Sequence, residues 1–187
     1  MFCAIEAYAA RQWDIHQFLG RWFRKPHNFL LTLQACDGII SGSEALQFLQ
    51  AGERHFRGED LDIFVPPHGL LTMGRYVKRA GFLFQPASDT RPSFDAAALM
   101  LTSTWKDDID KRRLGWSRSH SYSPSTFSFV RPAPAAKCGG ALQGTKLQII
   151  AVNGHPVEYI VNNFHSSKSS DTYAAAMCPD LFLQRES

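Results

Sequence analysis

The chain reads as an α+β domain, a mixed β-sheet flanked by helices. Three observations predict it. Short apolar and β-branched runs at Asp37 to Ser41, Leu61 to Val65 and Lys146 to Val152 have the length and bounding residues of buried strands. Segments with apolar residues at helical spacing stand between them. Glycine and proline mark most of the junctions, which keeps the elements short and alternating. A chain of 187 residues, 44% hydrophobic and 20% charged, has material for one core, and we take residues 1–187 as a single domain.

From the N-terminal side, Trp13, Phe18, Leu19, Trp22 and Phe23 recur at about helical spacing, predicting an amphipathic helix over Gln12 to Arg24 with Asp14 near its start. Its aromatic stripe is expected in the core. Lys25-Pro26 ends it, because the residue before proline avoids the α region. A second short helix is expected over Phe29 to Cys36, then the strand Asp37 to Ser41, then a helix over Glu44 to Gln50 that buries Ala45, Leu46, Phe48 and Leu49. Leu61 to Val65 is a strand stopped by Pro66-Pro67. Leu70 to Ala80 is a helix stopped by Gly81, and Phe82 to Phe84 a further short strand.

The stretch 112–144 is rich in Ser, Pro, Ala and Gly and reads as a mobile insert with one strand, Thr126 to Val130, inside it. Order returns in the strand Lys146 to Val152. The helix Pro156 to Asn163 follows, with proline in its first turn. Asp171 to Ser187 is expected to be weakly helical.

Bulk properties exclude several classes. No apolar run approaches the roughly 20 residues of a membrane span, and the start lacks a basic region followed by a long apolar one. A soluble protein of the cytoplasm or nucleus is expected, with no membrane partner. Net charge of +3 is too small to indicate a nucleic-acid binder. Cys3, Cys36, Cys138 and Cys178 lie far apart with no CxxC spacing, which favours reduced thiols over a zinc site.

The chemistry concentrates between Ile39 and Pro67. Gly42-Ser43 closes an apolar run just before a helix, where backbone N–H groups can receive a phosphate. Asp60 and Asp62 stand at i and i+2 of a strand, on one face and roughly 6–7 Å apart along the backbone, within reach of a shared divalent cation. Carboxylates suit Mg²⁺, a hard cation that keeps several waters. The bland alternatives are that Ser43 is a helix N-cap and that the two aspartates are a solvated strand end.

This arrangement, a hydrophobic-Gly-Ser turn, a helix and an acidic-x-acidic strand, resembles the nucleotidyltransferase superfamily, with its DNA polymerase beta-like fold. The segments KLQII, PVEYIVNNFHSS and Tyr173 to Leu181 are also similar to a group of uncharacterised fungal proteins of that fold. The resemblance implies a nucleotidyltransferase-like sheet. It implies an NTP held by Gly42 and Ser43, and Mg²⁺ or Mn²⁺ held by Asp60 and Asp62, which would be the catalytic carboxylates. The implied activity is transfer of a nucleotidyl group to a hydroxyl acceptor through two metals. It also implies a third carboxylate on a later strand, where this chain has Gln148. Asp95 and Glu158 are the substitutes to consider. With Gln148 in that place, the alternative is a degenerate site in a nucleotide-binding or protein-interaction module. A third reading is a binding domain with no nucleotide role.

Other residues carry weaker signals. His165 reads as a loop histidine. Lys111, Arg112, Arg113 and Arg118 with Trp116 read as a solvated loop, with phosphate or RNA contact the functional alternative. Arg21, Arg24 and Lys25 are expected only to favour a helix C-terminus.

Overall fold

A computed structural model describes residues 13–50, 60–87, 93–113, 124–132 and 145–163. It is a mixed α/β structure with a five-stranded open sheet and, among the described residues, six helices. The helices are α1 (Ile15–Leu19), α2 (Pro26–Ala35), α3 (Ser43–Gln50), α4 (Pro67–Arg79), α5 (Phe94–Arg113) and α6 (Pro156–Asn163). The strands are β1 (Ile39–Ser41), β2 (Asp60–Val65), β3 (Leu83–Gln85), β4 (Ser125–Arg131) and β5 (Thr145–Ala151).

The sheet order is β1-β2-β5-β4-β3. Only β2 and β5 run parallel; every other neighbouring pair is antiparallel. Side chains alternate between the two faces. Ile40, Leu61, Ile63, Val65, Phe127, Phe129, Leu147, Ile149 and Ala151 join the main core with residues of α1 to α5. Aromatic rings fill much of that core. Phe23 stacks on Phe29 with centroids 4.1 Å apart, and Phe94 meets Phe127 and Phe129 edge-on. Each fully buried Phe contributes about 2–3 kcal/mol of transfer free energy.

The opposite face divides in two. At one end Ile39, Phe64, Ile150 and Val152 form a second apolar cluster under Ile160 and Tyr159 of α6. At the other end the same face carries Ser41, Asp60, Asp62, Lys146 and Gln148. The polar group therefore begins where the cover of α6 stops.

Several boundaries depart from the sequence expectation. The first helix is only Ile15–Leu19, capped by the Asp14 carboxylate, which accepts from His16 N at 2.9 Å and Gln17 N at 3.0 Å. Trp22 and Phe23 are buried after it in a turn, while Trp13 is 43% exposed rather than in the core. Pro26 begins α2 instead of merely ending α1, and Pro67 begins α4, both at the first helical position where a missing N–H costs nothing. The long helix α5 occupies a stretch to which the sequence assigns no element, and it runs into the expected insert as far as Arg113. Within that insert β4 spans Ser125–Arg131; residues 114–123 and 133–144 lie outside the described residues, as do His165 and the segment 171–187. No helix among the described residues is long and apolar enough to cross a membrane.

Candidate functional site

β1 ends at Ser41 and the chain turns at Gly42 with φ of +87°, a left-handed conformation that L side chains rarely adopt. The Gly42 carbonyl accepts from Leu46 N at 3.1 Å, the first bond of α3. Gly42 thus holds the N-cap position and Ser43, exposed, is the first helical residue. The N-cap role, the bland alternative for Ser43, belongs to its neighbour.

The Asp62 carboxylate lies directly against Gly42. A Cβ built on Gly42 would collide with Asp62 Oδ2. The turn and the acidic strand, 18 residues apart from Gly42 to Asp60, are therefore brought into contact by the antiparallel pairing Ser41↔Asp62. On the other side of β2 the parallel register sets Asp60 beside Lys146 and Asp62 beside Gln148.

These neighbours define the electrostatics. Lys146 Nζ lies 2.5 Å from Asp60 Oδ2, and Gln148 Nε2 donates to the same oxygen at 3.0 Å. Asp62 is held differently. Burial pushes its carboxyl up from an ordinary 3.8 to about 6, the Asp60 charge pushes the same way, and Lys146 offsets part of it. Ser41, fully buried and directly opposite Asp62, has an Oγ without a hydrogen-bond partner.

The sequence expectation joined Gly42, Ser43, Asp60 and Asp62, and all four lie at this corner of the sheet. No group of three or more His, Cys, Asp or Glu that could hold a metal occurs among the described residues. Gln148 does stand next to the Asp-x-Asp strand. Asp95 is on α5, paired with Arg75 at 3.1 Å and Lys78 at 3.5 Å of α4. Glu158 is exposed on α6. Neither supplies a third carboxylate.

Sequence reasoning missed three participants. Lys146 sits two residues before Gln148, so strand alternation alone would have put them on one face; only the register reveals its partner. Ser41 was read as a strand terminus. Arg21, expected to act only through a helix dipole, pairs with the fully buried Glu44 in the first turn of α3 and lies over the rings of Phe18 and Trp22. Burial pushes the Glu44 carboxyl up, and Arg21 partly opposes this.

No protein-family model, no curated protein and no solved structure matches this chain.

Proposed function

We propose that the chain is a nucleotidyltransferase-like protein that binds a metal–NTP complex at the corner formed by Gly42, Ser43, Asp60 and Asp62. The observation that carries this reading is the contact between the Gly42 turn and the Asp62 carboxylate. It sets the start of a helix, suited to a phosphate, against two carboxylates on one strand face, suited to Mg²⁺ or Mn²⁺. A triphosphate would use one of these halves and a divalent cation the other, and their shared edge would set the two side by side.

The donor set fits a cation in part. Asp62 brings a carboxylate that is poorly solvated and gains from a nearby positive charge. Asp60 brings a second, with Oδ1 free of the two donors that meet Oδ2. A bound divalent cation would neutralise phosphate charge there.

Gln148 weighs against transfer chemistry. A neutral amide brings no charge and cannot take a proton from an attacking hydroxyl. Binding without turnover is therefore the reading we favour, in a nucleotide-binding or protein-interaction module. Nucleotidyl transfer to a hydroxyl is the second reading, supported by the paired Asp60 and Asp62 alone.

Calorimetric titration with each NTP plus Mg²⁺ or Mn²⁺ tests the reading, on wild type and on Asp60→Ala/Asp62→Ala. Heat with at least one NTP is expected for wild type and none for the double variant. Silence with every NTP would sink the binding claim, and binding that survives the double substitution would sink the site. Release of pyrophosphate in the same mixtures would favour the second reading.

A further inference from the structure

Lys146 and Asp60 are cross-strand neighbours in the parallel β2–β5 pair, and their side chains project from the face that carries Asp62 and Gln148. The ammonium and the Gln148 amide both approach one oxygen, Asp60 Oδ2. A lysine ammonium is a compact point charge on a flexible stem. Its side chain is 38% exposed, so it can swing away into water while the Asp60 strand stays fixed.

A divalent cation between Asp60 and Asp62 would lie only a few ångströms from this ammonium. Like charges at such range repel strongly where solvent screening is incomplete. Asp62, half-buried and lying directly against Gly42, stands on the same strand face two residues from Asp60. With the ammonium on Oδ2, a metal on Oδ1 would set two positive charges on one carboxylate, and in that sense they compete for Asp60. A second feature marks the corner as a place for a ligand: the Ser41 hydroxyl, fully buried and unpartnered, faces the same carboxylate row from β1. A buried hydroxyl without a partner is costly in a finished core, and a metal-bound water or a ligand oxygen would satisfy it.

We propose that Lys146 is a built-in competitor of the divalent cation: its ammonium holds Asp60 in the metal-free protein and must leave when the metal enters. The inference rests on the cation-binding half of the proposed function. It predicts a site of deliberately lowered metal affinity, filled when a triphosphate arrives with its own charge to offset Lys146 or to receive it. The displaced ammonium then becomes available to the phosphates.

The test uses the full chain and Mn²⁺ alone, without nucleotide. Removing one unit charge a few ångströms from the cation, as in Lys146→Met, is expected to tighten Mn²⁺ binding about tenfold or more by calorimetry. Lys146→Gln should do the same, and covers the case in which the methionine variant fails to fold. In wild type, Mg²⁺ should accelerate acetylation of Lys146 by acetic anhydride, followed by mass spectrometry, because the freed amine loses its carboxylate partner. Equal or weaker Mn²⁺ binding by the variants, with wild type binding, overturns the competitor role and leaves the cation site standing. Mg²⁺ that slows or does not change acetylation also overturns it. Absence of Mn²⁺ binding in wild type and both variants overturns the competitor role and the cation reading together.

Discussion

At Gly42 two demands meet that no other residue satisfies. The backbone needs a positive φ of +87°, and the Asp62 carboxylate occupies the space a Cβ would take. Left-handed backbone costs a non-glycine residue roughly 1–2 kcal/mol, and displacing a half-buried carboxylate adds to it. Gly42→Ala should therefore lower stability by about 2–3 kcal/mol in urea denaturation. It should also weaken metal–NTP binding, because relief of the collision must move Asp62. A variant as stable as wild type would show that the turn has slack the geometry does not suggest. Cys36 illustrates the opposite kind of residue. Its thiol is fully buried and pushed up to about 11, chiefly by burial and then by the Asp37 charge. It is packing material rather than chemistry.

Among the elements, α4 and α5 are joined by a close approach at Gly74. A methyl group there would drive into the Phe94 ring, which is itself boxed in by Phe84, Phe127 and Phe129. Phe94 has nowhere to go, so Gly74→Ala should cost about 2–3 kcal/mol despite the better helix propensity of alanine. The companion Gly74→Ala/Phe94→Leu should recover part of that loss in the same denaturation assay. The helix α5 is also the element that the sequence reading missed. Phe94, Ala98, Leu101 and Trp105 do form a stripe at helical spacing. Exposed Leu99 and Met100 interrupt it with apolar residues on the wrong side, and Thr102, Ser103 and Thr104 are poor helix formers whose hydroxyls return to backbone carbonyls one turn earlier. By contrast β2, β5, α3 and α6 were readable within a residue or two, because each is a short apolar or amphipathic run bounded by turn, proline or polar residues. Proline misled at Pro26 because the same residue that ends one helix can open the next. The candidate site was half readable. Gly42, Asp60 and Asp62 lie within one local stretch, whereas Lys146 comes to Asp60 through a strand pairing across 86 positions, which no local periodicity encodes.

For the molecule as a whole, the carboxyls of Glu44 and Asp62 give stability an unusual dependence on pH. Many proteins lose stability on mild acidification because their carboxylates are better served folded than unfolded. Here Glu44 and Asp62 both have carboxyls pushed up, in each case first by burial, with Arg21 and Lys146 offsetting only part. The folded chain therefore holds the Asp62 proton more tightly than the unfolded chain does between pH 3.8 and about 6. The stability this proton brings is fully present below 3.8 and is lost as pH rises through about 6. A rise from 3.8 to about 6 corresponds to roughly 3 kcal/mol across the window. Asp95, ion-paired on the surface to Arg75 and Lys78, acts in the other direction, but exposed pairs contribute little. The urea midpoint should therefore rise as pH falls from 7.5 to 5.5. Asp62→Asn removes the charge at every pH, so it should stabilise the protein by about 2–3 kcal/mol at pH 7.5 and by almost nothing at pH 4. A wild-type midpoint that falls steadily below pH 7, with Asp62→Asn following the same curve, would mean that the Asp62 carboxylate is better solvated than its place against Gly42 implies. If Asp62→Asn flattens the curve only in part, Glu44, whose carboxyl burial also pushes up, is expected to carry part of the remaining slope. Glu44→Gln should then remove that part, since the amide keeps a hydrogen-bond acceptor for Arg21 and carries no charge to bury.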